Sequence, residues 1–169
     1  MQVNSVEETR RWVNAFIVGL DLCPFAKRPA LHDTIRYIAC RGTSEEEWLA
    51  EFLHECQILL EEGGPATTLF LLPEQLLHFH EYLSFFDLAQ AVLQDSAFDE
   101  HIQIVSFHPG YRFEGAEEND PANRTNRSPH PMIHLLKRSD VAKAIEQHPD
   151  TEQIPKDNIS LLRSMFGAN

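Results

Sequence analysis

The sequence predicts an α/β fold: a small, mainly parallel sheet of about three strands, with a possible extra edge strand, covered by four to six helices. Three observations carry that prediction. Long segments repeat apolar residues at helical spacing. Three short runs rich in β-branched, aromatic or aliphatic residues are bounded by turn formers. The runs alternate with the helices, which is the order that parallel βαβ crossovers require.

The first helix is expected over residues 5–21, where Val6, Val13, Phe16, Ile17 and Leu20 share a face. It stops at Cys23-Pro24, because the residue before a proline avoids the α region. Residues 34–39 (TIRYIA) read as a strand. The next helix carries an N-terminal capping box, Ser44 with Glu47, then an apolar stripe of Trp48, Leu49, Phe52, Leu53, Cys56, Leu59 and Leu60. Gly63-Gly64-Pro65 ends it. Residues 67–72 (TTLFLL) read as a buried strand, and Pro73 opens a helical stretch to about Gln94 with a break near Ser84. A third buried strand, residues 102–107 (IQIVSF), runs into a long aperiodic segment, 108–131. A helix is expected to start at Pro131 and to carry His134 in its first turn. Two shorter helices, about 139–147 and 156–166, close the chain.

Composition narrows the function. The 169 residues suit one domain able to bury a core without metals or disulfides. A formal charge of −12 would repel phosphate backbones, so no nucleic acid is expected as a partner. The cysteines, Cys23, Cys40 and Cys56, are odd in number and irregular in spacing, which argues for a reducing compartment over a disulfide framework. The N-terminus lacks the pattern of a signal peptide and no apolar run could span a bilayer, so the expectation is a cytoplasmic protein with no membrane partner. Glycine-rich phosphate loops, dinucleotide fingerprints and nucleophile elbows are missing from the sequence.

Chemistry is expected in residues 106–136. A loop of more than twenty residues inside a compact domain is uncommon unless it is functional or mobile. This one starts at the carboxyl end of a strand, where open α/β sheets bind ligands. Tyr111, Asn123, Asn126, Arg127 and Ser128 are candidate ligand-binding residues; Arg127 offers a planar fork for a carboxylate or phosphate. Against that reading, Asn126 and Ser128 could simply satisfy turn backbone, and Arg127 could pair with an Asp or Glu. His108 and His134 flank the loop and are candidate general acids or bases, or structural histidines. Cys23 is read as an N-cap before Pro24, with Lys27 and Arg28 one turn on, a setting that favours thiolate; the competing reading is a packed thiol. Lys27 joins the anion-binding candidates. A metal site uniting Cys23, His108 and His134 would require the fold to gather them, and His130 is poorly placed to serve as a helical ligand.

Two motifs carry a family resemblance. Residues 22–27 (LCPFAK), together with Ser106-Phe107-His108-Pro109, Tyr111, Phe113, Gly115, Asp120, Asn123, Thr125-Asn126-Arg127-Ser128-Pro129, Pro131 and His134-Leu135-Leu136, resemble the domain-of-unknown-function 1415 family of bacterial proteins. The resemblance covers nearly the whole chain and implies no established reaction or cofactor. It points to Cys23, His108, Asn123, Asn126, Arg127 and His134 by motif position. The chain departs from the pattern at Gly110, where an Asp is expected, and at His130, where a Tyr is expected. The first departure removes a carboxylate that might have oriented His108, and the second weakens a metal scheme.

The leading expectation is an enzyme acting on a small anionic metabolite, with Asn126 and Arg127 holding the anion, His108 or His134 moving protons, and Cys23 as nucleophile or redox group. The alternatives are a non-catalytic module for a ligand or partner, and a mononuclear metal protein. The catalytic reading requires the Cys23 turn and the Asn-Arg-Ser segment to face one pocket. The connection from Cys23 to the first strand is long enough to allow it.

Overall fold

A computed structural model describes residues 2–147 and 150–167. Its elements are α1 (Gln2–Trp12), α2 (Lys27–Leu31), β1 (Ile35–Ala39), α3 (Glu45–Leu60), β2 (Thr67–Leu71), α4 (Phe79–Gln94), β3 (Ile102–Phe107), β4 (Met132–Lys137), α5 (Arg138–Gln147) and α6 (Ile154–Phe166). Among the described residues, no helix is long and apolar enough to cross a membrane.

The fold is α/β, as expected, but the sheet is mixed where a mainly parallel one was expected: two of its three pairings are antiparallel. Four strands lie in the order β1-β2-β4-β3. β1 and β2 are parallel, while β4 is antiparallel to both β2 and β3. The three anticipated strands therefore all point the same way, and the additional strand is not at an edge. It is wedged between β2 and β3, so every pairing it makes is antiparallel. The helix expected from Pro131 is this strand. Met132 and His134 turn towards α1, whereas Ile133 and Leu135 turn towards α3 and α4, and Met132, Ile133 and Leu135 are all buried. A strand covered on both faces loses its polar alternation, and its run of apolar residues can then be mistaken for a helix.

One face of the sheet carries the larger core. Trp48, Phe52, Cys56 and Leu59 of α3 and Tyr82, Phe85, Ala89 and Leu93 of α4 pack on Phe70, Ile102, Ile133 and Leu135. The other face meets the N-terminal helix through Val13, Leu69, Leu71 and Met132. Because α3 and α4 lie on the same face, the two crossovers do not diverge to opposite sides. The carboxyl ends of β2 and β3 are therefore not a topological switch point of the doubly wound kind.

Local structure follows the sequence closely at α3. Ser44 Oγ accepts the Glu47 N–H at 3.3 Å, while the Glu47 carboxylate accepts the Thr43 N–H at 2.6 Å, one residue earlier than in a standard capping box. The first helix departs more. α1 passes into a π-helical turn, Val13–Val18, closed by a Gly19 N–H to Asn14 C=O bond of 3.0 Å. The helical stretch after Pro73 breaks at residues 77–78, between a short 3-10 turn and α4, not near Ser84.

The outer edge of β3 is closed at both ends by its own chain. Phe107 N–H bonds the Tyr82 hydroxyl, which donates to Met132 C=O of β4, so residues 103, 105 and 107 direct their backbone towards β4. Residues 102, 104 and 106 therefore face outward. The Ile102 N–H is bonded by Phe98 C=O at 2.8 Å, and Ser106 C=O by Asn126 Nδ2 at 3.0 Å. An edge strand without a charge or proline is protected here by the flanking turns.

Candidate functional site

The loop after β3 is built around a buried histidine. His108 is 1% exposed; its Nε2 lies 3.0 Å from Leu76 C=O, and its Nδ1 accepts the Gly110 N–H at 2.9 Å. Nδ1 is thus an acceptor and Nε2 the donor, which fixes one neutral tautomer. Its ring sits 5.2 Å from that of Phe79 and 4.8 Å from that of Tyr82, and burial pushes its pKa below the ordinary histidine value. Tyr111 packs on Phe79 and Phe113, continuing the same aromatic layer.

Each polar candidate beyond it holds loop backbone. Asn123 is fully buried: its Oδ1 accepts the Phe113 N–H at 3.1 Å, and its Nδ2 donates to Glu117 C=O at 2.9 Å and Glu118 C=O at 3.2 Å. Asn126 bridges the β3 edge: its Nδ2 bonds Ser106 C=O, and its own C=O accepts the His108 N–H at 3.1 Å. Arg127 donates to Tyr111 C=O at 2.8 Å and to Glu118 C=O at 2.7 Å. The buried Ser128 hydroxyl donates to His130 C=O at 2.6 Å. Asp120 caps the 3-10 turn Pro121–Thr125 through Ala122 N–H, and the Arg163 guanidinium holds its carboxyl down to about 2. These side chains satisfy the backbone groups that a loop without a ladder would leave unpaired.

His134 sits on β4, so the helix-terminus environment expected for it is replaced by a sheet. Its Nε2 is 2.7 Å from Thr67 Oγ1, which in turn donates to Leu135 C=O at 2.7 Å. The threonine hydroxyl has one proton, and Leu135 receives it, so His134 Nε2 must be the donor. Burial lowers its pKa from 6.5 to about 4, and the ring is neutral at physiological pH.

Cys23 does not cap α2, which begins only at Lys27 with Ala26 in the capping position. It precedes a turn of residues 24–26, whose Phe25 and Ala26 N–H groups meet its thiol. Pro24 is tolerated in that turn as readily as in a first helical turn, which is why the dipeptide misleads. The thiol packs with Ile17, Leu22 and Leu162, and burial pushes its pKa up, away from the reactive thiolate. Lys27 is exposed at the start of the five-residue α2.

The two motifs meet through a third element. Helix α6 donates from Asn158 Nδ2 to Leu22 C=O at 2.7 Å, inserts Leu162 beside Cys23, and reaches the loop through the Arg163–Asp120 pair and the Arg124 guanidinium, 4.3 Å from the Phe166 ring centroid. Beside this junction lies a cavity of about 330 Å³, lined by Leu20, Asp21, Pro24, Ile154, Asp157, Asn158 and Leu161. It flanks the Cys23 turn and includes neither Cys23 nor any of the loop candidates. Asp21 stands at its wall with φ 54°, a left-handed conformation that aspartate tolerates better than most residues. Sequence reading missed Asp21, Asp157, Asn158 and Leu161. The helical spacing of Ile154, Asn158, Leu161 and Met165 was visible, but nothing local says that this stripe closes over residues 20–24. Among the described residues, no group of three His, Cys, Asp or Glu side chains is arranged to hold a metal.

Comparison with curated proteins and with solved structures finds no match. A family model described as "Protein of unknown function (DUF1415)" matches residues 4–169. The chain therefore belongs to that family, over essentially its whole length.

Proposed function

We propose that this protein is a binding module whose site is the cavity between the Leu20–Pro24 turn and α6, and that the group it accepts has an aliphatic stem and a cationic tip. One observation carries the reading: the cavity is lined by apolar Leu20, Pro24, Ile154 and Leu161 together with the acidic residues Asp21 and Asp157, and among the described residues no lysine or arginine lines it. Among the described residues, the Asp21 side chain makes no hydrogen bond, and Asp157 is bonded through one oxygen, by Gln153 Nε2 at 2.9 Å. Apolar walls with a carboxylate rim suit an alkylammonium or guanidinium group, whose stem is buried while its charge stays near water. This preference is opposite in sign to an anionic metabolite.

The test compares butylamine with butyrate, which share a chain length and differ in charge. Butylamine is expected to raise the thermal midpoint in a dose-dependent way and butyrate to leave it unchanged. Asp21→Asn and Asp157→Asn should each weaken the amine effect. Equal shifts from both probes, or none from either, would remove this reading.

A second reading, an enzyme acting on a small anionic metabolite with Cys23, His108, Asn126 and Arg127, is favoured by one fact. Helix α6 touches both motifs, so the Cys23 turn and the loop are neighbours of one element. Arg127→Lys and His108→Gln variants, screened for ligand-induced stabilisation by carboxylates and phosphates, separate it from the first. Identical responses from wild type and both variants would dismiss it.

A further inference from the structure

Resting on the cavity reading above, the geometry points to a macromolecular occupant: we infer that a basic amphipathic peptide segment of a partner protein docks along α6, with one lysine or arginine side chain entering the cavity. The apolar lining does not stop at the cavity mouth. Leu161 is 37% exposed, and Met165, one turn further along the same helix face, is 48% exposed. A small amine would fill the cavity and leave this stripe in water, whereas exposed apolar residues contiguous with a polar-rimmed pocket are the usual mark of a protein contact. Helix α6 carries three exposed large hydrophobic residues in its last two turns, Leu161, Met165 and Phe166. Phe166 lies under Arg124 towards the loop, so Leu161 and Met165 form the uncovered stripe.

Charge selects the partner. Asp21 and Asp157 are among the residues that line the cavity, and the chain as a whole carries −12, so an acidic segment would be repelled and a basic one attracted. Leucine-type residues of the segment would cover Leu161 and Met165 while a long cationic side chain reached Asp21. Apolar anchors spaced along one face of the segment supply the affinity, as in other helix-in-groove contacts.

The probe is a synthetic amphipathic peptide of leucine and lysine carrying a fluorophore, read by anisotropy. Two controls accompany it: a scrambled peptide of the same composition, which carries the charge without the apolar face, and the peptide with glutamate in place of lysine. The amphipathic peptide is expected to bind at least about tenfold more tightly than either control. Met165→Gln should weaken it about fivefold while leaving the butylamine response intact, and Asp21→Asn should weaken both. A scrambled peptide binding equally well, or Met165→Gln binding as wild type does, would overturn the inference while the cavity reading stood. Loss of the butylamine response in the wild type would bring down both.

Discussion

The loop of residues 108–131 and the turn of residues 20–26 are both motif-bearing, both irregular, and both touched by α6, yet they are held in different ways. In the loop, Asn123, Asn126, Arg127 and Ser128 each donate to backbone carbonyls. The turn rests mainly on the packing of Ile17, Leu22 and Leu162, joined by the Asn158 bond to Leu22 C=O and by the Phe25 and Ala26 N–H groups that meet the Cys23 thiol. Dense polar side chains in a long loop can therefore mark self-support. The cavity of Leu20, Pro24 and Leu161 lies instead beside the turn that apolar packing against α6 holds.

The largest effect should come from Asn123→Ala. It strands one part-buried N–H, weakens the hold on two carbonyls and empties a fully buried site, and a loss of about 3 kcal/mol is expected in urea denaturation. A loss below about 1 kcal/mol would mean that the loop is supported by something other than its asparagine.

Next comes acid. His134 has a folded pKa of about 4 against 6.5 in the unfolded chain, so the unfolded state takes up the proton first. Stability is complete above the unfolded value and falls as pH drops from 6.5 towards 4; by linkage the wild type should lose about 1–2 kcal/mol on going from about pH 7.5 to about pH 5. His108 is shifted in the same direction and adds to the loss. His134→Gln, which can keep the donor to Thr67, should show a shallower decline, measured by denaturation at both pH values. An unchanged slope would take His134 out of the acid response.

Arg127→Ala should cost about 1–2 kcal/mol, since two carbonyl bonds are lost from a half-buried site. If it instead leaves stability intact and abolishes carboxylate binding, the contrast between the regions reverses. Cys23 should alkylate at least about tenfold more slowly than a free thiol at neutral pH, because burial disfavours its thiolate. Mass spectrometry of iodoacetamide-treated protein reads this directly, and rapid labelling would restore the reactive-cysteine reading. The smallest change belongs to Asp21→Asn, with stability within about 0.5 kcal/mol of wild type, since asparagine also tolerates the left-handed conformation.

Several features were legible before any coordinates. The periodicity of residues 44–60 located α3 and its cap, because helix formation there depends on neighbours within four residues. The runs at 67–72 and 102–107 located β2 and β3 for the same local reason. The polar groups of the loop identified it as ordered and specific. Their use was ambiguous, because the same amide or guanidinium can meet a ligand or a carbonyl ten residues away.

Sequence alone thus determined the longer helices, three strands, the acidic composition and the two motifs, since each rests on composition or on contacts close along the chain; the five-residue α2 is too short to show a period and was not anticipated. Tertiary structure decided the rest. Whether residues 132–137 became a helix or a strand depended on finding a slot between β2 and β3. The cavity depended on residues 154–161 returning to residues 20–24, a contact across more than a hundred positions that no local pattern encodes. Burial, too, belongs to the assembled fold: it turned His108, His134 and Cys23 from candidate reactive groups into neutral, packed side chains.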